Sequence, residues 1–168
     1  MLPDRKRRAQ AGFSLIELLI VIAIILIILA VALPKLTSAR RYAQEMAAVK
    51  AITTIHTAET QYYSQYGQYA TSLTQLGPPT SGNPGANGAE LIDKELAGGE
   101  KGHFKFTLQP AQGGYALSVI PTDTSSGGHT YFSDQNMAIH QHDGTEPASV
   151  NDRLLGQAEQ QQAQQQGK

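Results

Sequence analysis

The sequence contains no cysteine and no tryptophan, and its charges nearly cancel. Without cysteine the chain can form neither a disulfide framework, nor a thiolate metal site, nor a cysteine nucleophile. Thirteen basic residues stand against 14 acidic ones, so the net charge of −1 gives no reason to expect a nucleic-acid partner. A length of 168 residues leaves room for one domain with additional segments.

Aliphatic side chains are concentrated in one run, from Phe13 to Leu33, which follows a basic segment over residues 1–12. As a helix rising ~1.5 Å per residue, this run would cover roughly 30 Å, the thickness of a bilayer core. It has no polar face, and we therefore predict a transmembrane helix over residues 13–34. The basic segment predicts a cytoplasmic N-terminus and an exported C-terminal part.

Two residues make this span unusual. Glu17 places a carboxylate inside the apolar run, where a charge costs about 2.5–3.5 kcal/mol unless it finds a partner or reaches the headgroups. Pro34 ends the run, and it cannot donate a hydrogen bond to the carbonyl of Ala30. We predict a kink or a local opening of the helix there.

The stretch Ala11–Leu18, AGFSLIEL, resembles the prepilin peptidase site of type IV pilins and type II secretion pseudopilins. In that family a basic leader ending in Gly is removed, the new N-terminal residue is N-methylated, and a Glu four residues later stays in the span. The resemblance implies cleavage between Gly12 and Phe13, methylation of Phe13 and an assembly role for Glu17. Pro34 matches the proline that the family places at this distance.

The resemblance also implies a function, partners and a location. The chain would be the structural subunit of a homopolymeric filament, a type IV pilus or a type II secretion pseudopilus. Its partners would be further copies of itself, prepilin peptidase, an inner-membrane assembly platform and the lipid bilayer. It would cross the bacterial inner membrane once, with its C-terminal domain periplasmic, before entering an extracellular filament or a periplasmic pseudopilus.

Two other functions remain open at this point. The run could be a secretory signal peptide cleaved near Ala30-Val31-Ala32, although it is longer than the ~7–15 apolar residues of such segments. Alternatively, the chain could be a single-span anchored periplasmic binding protein that does not polymerise.

Residues 35–155 are predicted to form a pilin-like α+β domain that includes the amphipathic half of the long helix. Thr37 or Ser38 is predicted to cap or restart a helix that continues to about Gly67. One face of this helix is apolar and should pack on a small core. Its members are Ala48, Ala51, Ile52, Ile55, Ala58, Tyr62 and Tyr66. A different face carries Tyr42, Met46 and Val49, which would contact either adjacent subunits or a loop of the same domain.

An antiparallel sheet of three to four strands is predicted to pack on this helix. The candidate strands are Phe104–Leu108, Tyr115–Ile120, Thr130–Ser133 and Met137–His140, with a hairpin turn at Gly113-Gly114. The Gln-rich residues 156–168 have no apolar periodicity and are predicted to form a disordered tail.

No residues form a recognisable catalytic constellation, and we expect no enzymatic activity and no cofactor. The tyrosines from Tyr62 to Tyr69 indicate either a closed core end or a platform for carbohydrate or nucleic acid. His140 and His142 would share one face of a strand and, with Asp143, form weak metal-ligand candidates; His129 or Asp134 could add a ligand. Asp123, Asp134 and Asp143 are weak candidates for calcium.

Overall fold

The computed structural model of the protein describes residues 13–123 and 128–156. The predicted leader, including Gly12, and residues 157–168 of the predicted tail lie outside this range. The described chain contains three helices and six strands in the following order: α1 (Leu15–Tyr66), α2 (Leu73–Leu76), α3 (Lys94–Ala97), β1 (Glu100–Lys101), β2 (Phe104–Ala111), β3 (Gly114–Pro121), β4 (His129–Asp134), β5 (Ile139–Asp143) and β6 (Arg153–Leu154).

The chain divides into two compact units, one that extends to Arg40 and one that begins at Arg41. In the first unit every described residue is exposed. The helix contains Pro34 in its interior. The prediction that Thr37 or Ser38 caps a helix is wrong, because both residues lie inside α1. Their hydroxyls donate to the carbonyls of Leu33 and Pro34, each four residues earlier, at 3.2 Å. A hydroxyl that donates to a carbonyl of the preceding turn has its hydrogen bond within the helix and does not cap a new one.

In the second unit the predicted apolar face of α1 is buried. Ala48, Ala51, Ile52, Ile55, Ala58 and Tyr62 all belong to the core, and Tyr66 packs against it partly buried. Val49 also packs against the core, whereas Tyr42 and Met46 are exposed. The helix ends at Tyr66 because Gly67 takes the left-handed conformation, with φ of 70°.

The sheet is an antiparallel meander in which the six strands are neighbours in the order of the chain. Its core side chains alternate along the strands, as in Phe104, Phe106 and Leu108 of β2. The α+β prediction is thus confirmed, with six strands rather than three to four. The extra strands β1 and β6 have two residues each, too few for an alternation to be recognised.

The two predicted hairpins differ slightly from their expected positions. In the first, Ala111 pairs with Gly114, so the turn residues are Gln112 and Gly113, and Gly113 supplies the positive φ of 80°. In the second, β5 begins at Ile139 rather than Met137. Met137 has φ of 60° and donates its N–H to the carbonyl of Asp134 at 2.9 Å, so it belongs to the turn.

Candidate functional site

The N-terminal end of α1 carries the residues predicted for processing and assembly. Phe13 is 80% exposed and precedes the helix. The carbonyl of Ser14 accepts the N–H groups of Glu17 and Leu18 at 3.1 and 3.2 Å, which starts the helix at the next residue. Glu17 therefore lies in the first turn, where a carboxylate is favoured by the helix dipole. Its side chain is exposed.

The apolar surface that follows Glu17 has no cover within the described chain. The large aliphatic side chains from Leu18 to Leu36 are all exposed, by 43% or more. Among the described residues, α1 is the one helix long and apolar enough to cross a membrane. Exposed aliphatic surface of this extent is unfavourable in water, so the segment requires lipid or other apolar helices around it.

The model of the prokaryotic N-terminal methylation motif matches residues 7–33 of the chain. No curated protein and no solved structure matches the chain. The methylation motif is the signature of type IV pilins and pseudopilins, and the predicted resemblance to that family is confirmed on these residues. The motif supports a pilin-like protein that prepilin peptidase processes. Together with the apolar N-terminal helix, it fits a protein anchored in a membrane.

The tyrosines at the end of α1 divide between the core and the surface: Tyr62 is buried, Tyr66 and Tyr69 are partly buried, and Tyr63 is exposed. Tyr62 is fully buried, and its hydroxyl donates to the carbonyl of Ala86 at 2.8 Å. The rings of Tyr69 and Tyr115 meet edge to face at 5.4 Å, and Tyr115 is also buried. Burial raises the pKa of Tyr115, because loss of water disfavours the charged phenolate. The core interpretation is confirmed for Tyr62, Tyr66 and Tyr69, whereas Tyr63 remains outside the core.

Three buried side chains of α1 can carry a charge, and none of them was predicted from the sequence: Glu45, His56 and Glu59. Glu59 is 1% exposed, and its Oε2 accepts the N–H of Ala70 at 2.9 Å. Burial raises the pKa of Glu59 to about 7, although the bond from Ala70 acts in the opposite direction. The pKa of His56 is lowered by burial, while the negative charge of Asp134 acts to raise it.

The contacts of His56 settle its tautomer. Its Nε2 lies 2.7 Å from Oγ of Ser133, and that hydroxyl already donates to the carbonyl of Ala138. The ring must therefore donate through Nε2. The only sequence signal for His56 and Glu59 is their position beside apolar residues on the packed face of α1.

A groove of about 720 Å³ lies beside this part of α1. It is lined by Thr53, His56, Thr57, Thr60, Gln61, Ser64, Met137 and Ile139. The hydroxyls of Thr53, Thr57 and Thr60 donate to carbonyls four residues earlier at 2.8–3.1 Å. Because these donors are satisfied inside the helix, the groove offers mainly methyl groups and carries no carboxylate, lysine or arginine.

The predicted metal candidates separate into two sets. Asp143 contacts Nε2 of His129 at 3.0 Å and also pairs with Arg153. The other ring nitrogen of His129 lies 2.9 Å from Oε1 of Glu45 in an ion-pair contact that lacks hydrogen-bond geometry. His140 and His142 do not join this set and contact Asp152 instead. No group of three or more metal-binding side chains occurs in the described part of the chain.

Asp152, which the sequence analysis did not single out, organises the turn between β5 and β6. One carboxylate oxygen accepts from the N–H and the hydroxyl of Ser149, at 2.7 and 2.8 Å. The other meets Nδ1 of His142 at 2.9 Å. The hydrogen bond with His142 and those from Ser149 lower the pKa of Asp152 to about 2, so its carboxylate is ionised at neutral pH.

Proposed function

We propose that the chain is a structural subunit of a type IV pilus or a type II secretion pseudopilus-like filament, assembled from the inner membrane. The observation that carries this proposal is the methylation motif at residues 7–33, which overlaps a helix whose apolar surface no described residue covers. A motif alone would mark a processing site. The uncovered helix supplies the surface that neighbouring subunits would pack against.

In the proposed assembly, prepilin peptidase cleaves between Gly12 and Phe13 and creates a new α-amino group, which is then methylated. This ammonium and the carboxylate of Glu17 would each be costly in an apolar environment on their own. Pairing Glu17 of one subunit with the ammonium of a neighbour lets the two groups compensate each other. The pair sets the stagger between helices, while apolar packing provides most of the association energy.

The remaining steps follow from this arrangement. The span would hold the subunit in the inner membrane, N-terminus cytoplasmic, until an assembly platform extracts it into the filament. The proline at position 34 would kink the helix between the apolar span and the exported domain. We propose no catalytic role for the chain.

The first test is intact mass and N-terminal sequencing of the protein from its native membrane. We expect a chain that begins at N-methylated Phe13. A chain that begins after Ala32 would make the span a discarded signal peptide and remove the filament proposal. An uncleaved Met1 would leave an anchored protein that does not polymerise, for which the methyl-lined groove beside α1 would be the binding site to examine.

The second test separates assembly from anchoring. We expect Glu17→Ala and Glu17→Val to stay membrane-bound and to enter sheared filament fractions poorly, because each leaves the neighbour's ammonium without a partner. Glu90→Ala is a matched control, since Glu90 is an exposed glutamate of the second unit. Filament yields that are unaffected by both changes at position 17 would contradict the ion-pair mechanism.

A further inference from the structure

Two histidines of β5 are held on one face of the sheet by the same residue. His140 and His142 are two positions apart in a strand, so their side chains project from the same face. Nδ1 of His140 lies 2.8 Å from the main-chain oxygen of Asp152, and Nδ1 of His142 lies 2.9 Å from its Oδ1. One residue thus anchors both rings by the same ring atom.

These contacts fix the tautomer of both rings. A main-chain carbonyl and an ionised carboxylate only accept hydrogen bonds, so each Nδ1 must carry the proton. In the neutral rings the lone pair therefore lies on Nε2 of His140 and on Nε2 of His142. Neither Nε2 has a hydrogen-bond partner among residues 13–123 and 128–156. Both residues are partly exposed, so these nitrogens are open to solutes.

We infer that His140 and His142 form a two-imidazole site for a divalent transition-metal ion such as Cu²⁺, Ni²⁺ or Zn²⁺, with Asp152 as the positioning residue. Neutral Nε2 is a common metal ligand, and ligating histidines usually donate their other N–H to a carbonyl or a carboxylate. The two nitrogens coordinate the ion through their lone pairs, and water fills the remaining positions. No proton has to leave either neutral ring when the ion binds.

The chemistry of the ligands selects the class of ion. Imidazole suits zinc, copper and nickel, whereas calcium and magnesium require oxygen ligands. Two protein ligands do not complete the tetrahedral set of a structural zinc site, so the bound ion is exchangeable. Asp143 does not serve as a third ligand. It follows His142 directly in β5, so its side chain projects from the opposite face of the sheet, and it contacts His129 and Arg153 there.

A purely structural role is the competing explanation. In that case the two rings would only fasten β5 to the turn at Ser149–Asp152, and metal binding would be absent. Variants distinguish the two roles. If the rings are only structural, replacing them lowers the free energy of unfolding in metal-free buffer; if they form a metal site, replacing them weakens copper binding.

The test is titration of the full-length, untagged chain in detergent micelles with Cu²⁺, followed by electron paramagnetic resonance. We expect one Cu²⁺ per chain with hyperfine coupling to two imidazole nitrogens, and weaker binding of Ni²⁺ and Zn²⁺ in the order of their general affinities. His140→Ala and His142→Ala should each weaken copper binding by about tenfold or more, as losing one of two ligands requires. His103→Ala is the matched control, because His103 is exposed in the turn between β1 and β2.

Asp152→Ala tests the positioning role separately. It leaves both imidazoles in place, and we expect copper affinity to fall by about tenfold. Nitrogen NMR of the metal-free variant should show His142 losing its fixed Nδ1–H tautomer while His140 keeps it, because the main-chain oxygen remains. Unfolding curves in metal-free buffer identify any variant that fails to fold. Absence of copper binding in the unmodified chain, or equal binding by the His140→Ala/His142→Ala double variant, would overturn the proposal.

Discussion

The two parts of α1 differ in how their apolar side chains are covered. From Leu18 to Leu33 the helix is aliphatic on all sides, and every described residue up to Arg40 is exposed. From Arg41 onward it is amphipathic, and one face is covered by the sheet. The most apolar segment is thus the one that no described residue covers. The second part, in contrast, packs on a core of its own.

The largest expected difference between the two parts concerns a single isoleucine in each. Ile52 is fully buried and Ile24 is 53% exposed. We expect Ile52→Ala to lower the free energy of unfolding by about 2–5 kcal/mol, because it leaves a cavity in the core. Ile24→Ala should leave this free energy unchanged. The measurement is urea unfolding of the full chain in detergent, followed by tyrosine circular dichroism. Equal effects of the two changes would contradict the division of the helix.

A second pair compares Glu59 with Glu17 through the pH dependence of stability. Folded Glu59 takes up its proton near pH 7 instead of at its ordinary pKa of 4.5. Between these values the folded state holds more protons than the unfolded state, so the free energy of unfolding falls as pH rises. The total change is about 3 kcal/mol. We expect Glu59→Gln, which keeps an oxygen for the N–H of Ala70, to remove this decline.

The control for this prediction is Glu17→Gln, which should keep the decline because Glu17 lies in the first unit. The lowered pKa of His56 acts in the opposite direction, since it makes stability increase as pH rises toward 6.5. His56 is present in all three chains, so its contribution cancels when their unfolding curves at pH 5 and pH 8 are compared. An unchanged slope in Glu59→Gln would show that another group titrates.

A third, smaller difference separates two tyrosines of α1. Tyr62→Phe removes the hydroxyl that donates to Ala86, and we expect a loss of about 1 kcal/mol in the free energy of unfolding. Tyr42 is 59% exposed, and Tyr42→Phe should have no measurable effect. Thermal unfolding of both variants checks this. A loss in Tyr42→Phe as large as that in Tyr62→Phe would place Tyr42 in the folded domain's packing.

The smallest expected effect concerns threonines whose hydroxyls bond within the helix. Thr60 donates to the carbonyl of His56, and Thr37 donates to that of Leu33. Valine has the same shape and leaves each carbonyl its helical N–H partner, so we expect Thr60→Val to change the unfolding free energy by less than about 1 kcal/mol. Thr37→Val should change it by nothing detectable. A larger loss in Thr60→Val would indicate that the hydroxyl has a role in the groove.

Much of this fold could be predicted because its signals are local and periodic. The apolar run, the amphipathic face from Ala48 to Tyr62 and the alternation in β2 and β3 each repeat often enough to be recognised. The short strands β1 and β6 could not be predicted, since their pairing depends on the neighbouring strand rather than on their own residues. The continuation of α1 through Thr37 and Ser38 was missed because a hydroxyl residue suits both a helix cap and a back-bonded interior position.

The candidate sites show the same limit. Phe13 and Glu17 were identified because a short contiguous motif carries them, and their proposed roles in processing and assembly remain to be tested. The spacing of His140 and His142 predicts that they share one face of a strand, whereas Asp143 contacts His129 and Arg153 instead. The partner that matters, Asp152, lies ten residues from His142 in sequence. Only the fold brings it to the strand.

The brevity of the outermost strands has a consequence for how the domain behaves when many copies are concentrated. An open sheet edge is a template for the backbone of another chain, and long flat edges invite aggregation. Here one edge is β6, with two residues, and the other is β1, also with two residues, beside an uncovered part of β2 that contains Pro110. Proline has no backbone N–H, so at this position it cannot donate a hydrogen bond to the strand of another chain. Each edge of this sheet therefore offers few unpaired backbone groups, which disfavours edge-to-edge pairing between copies.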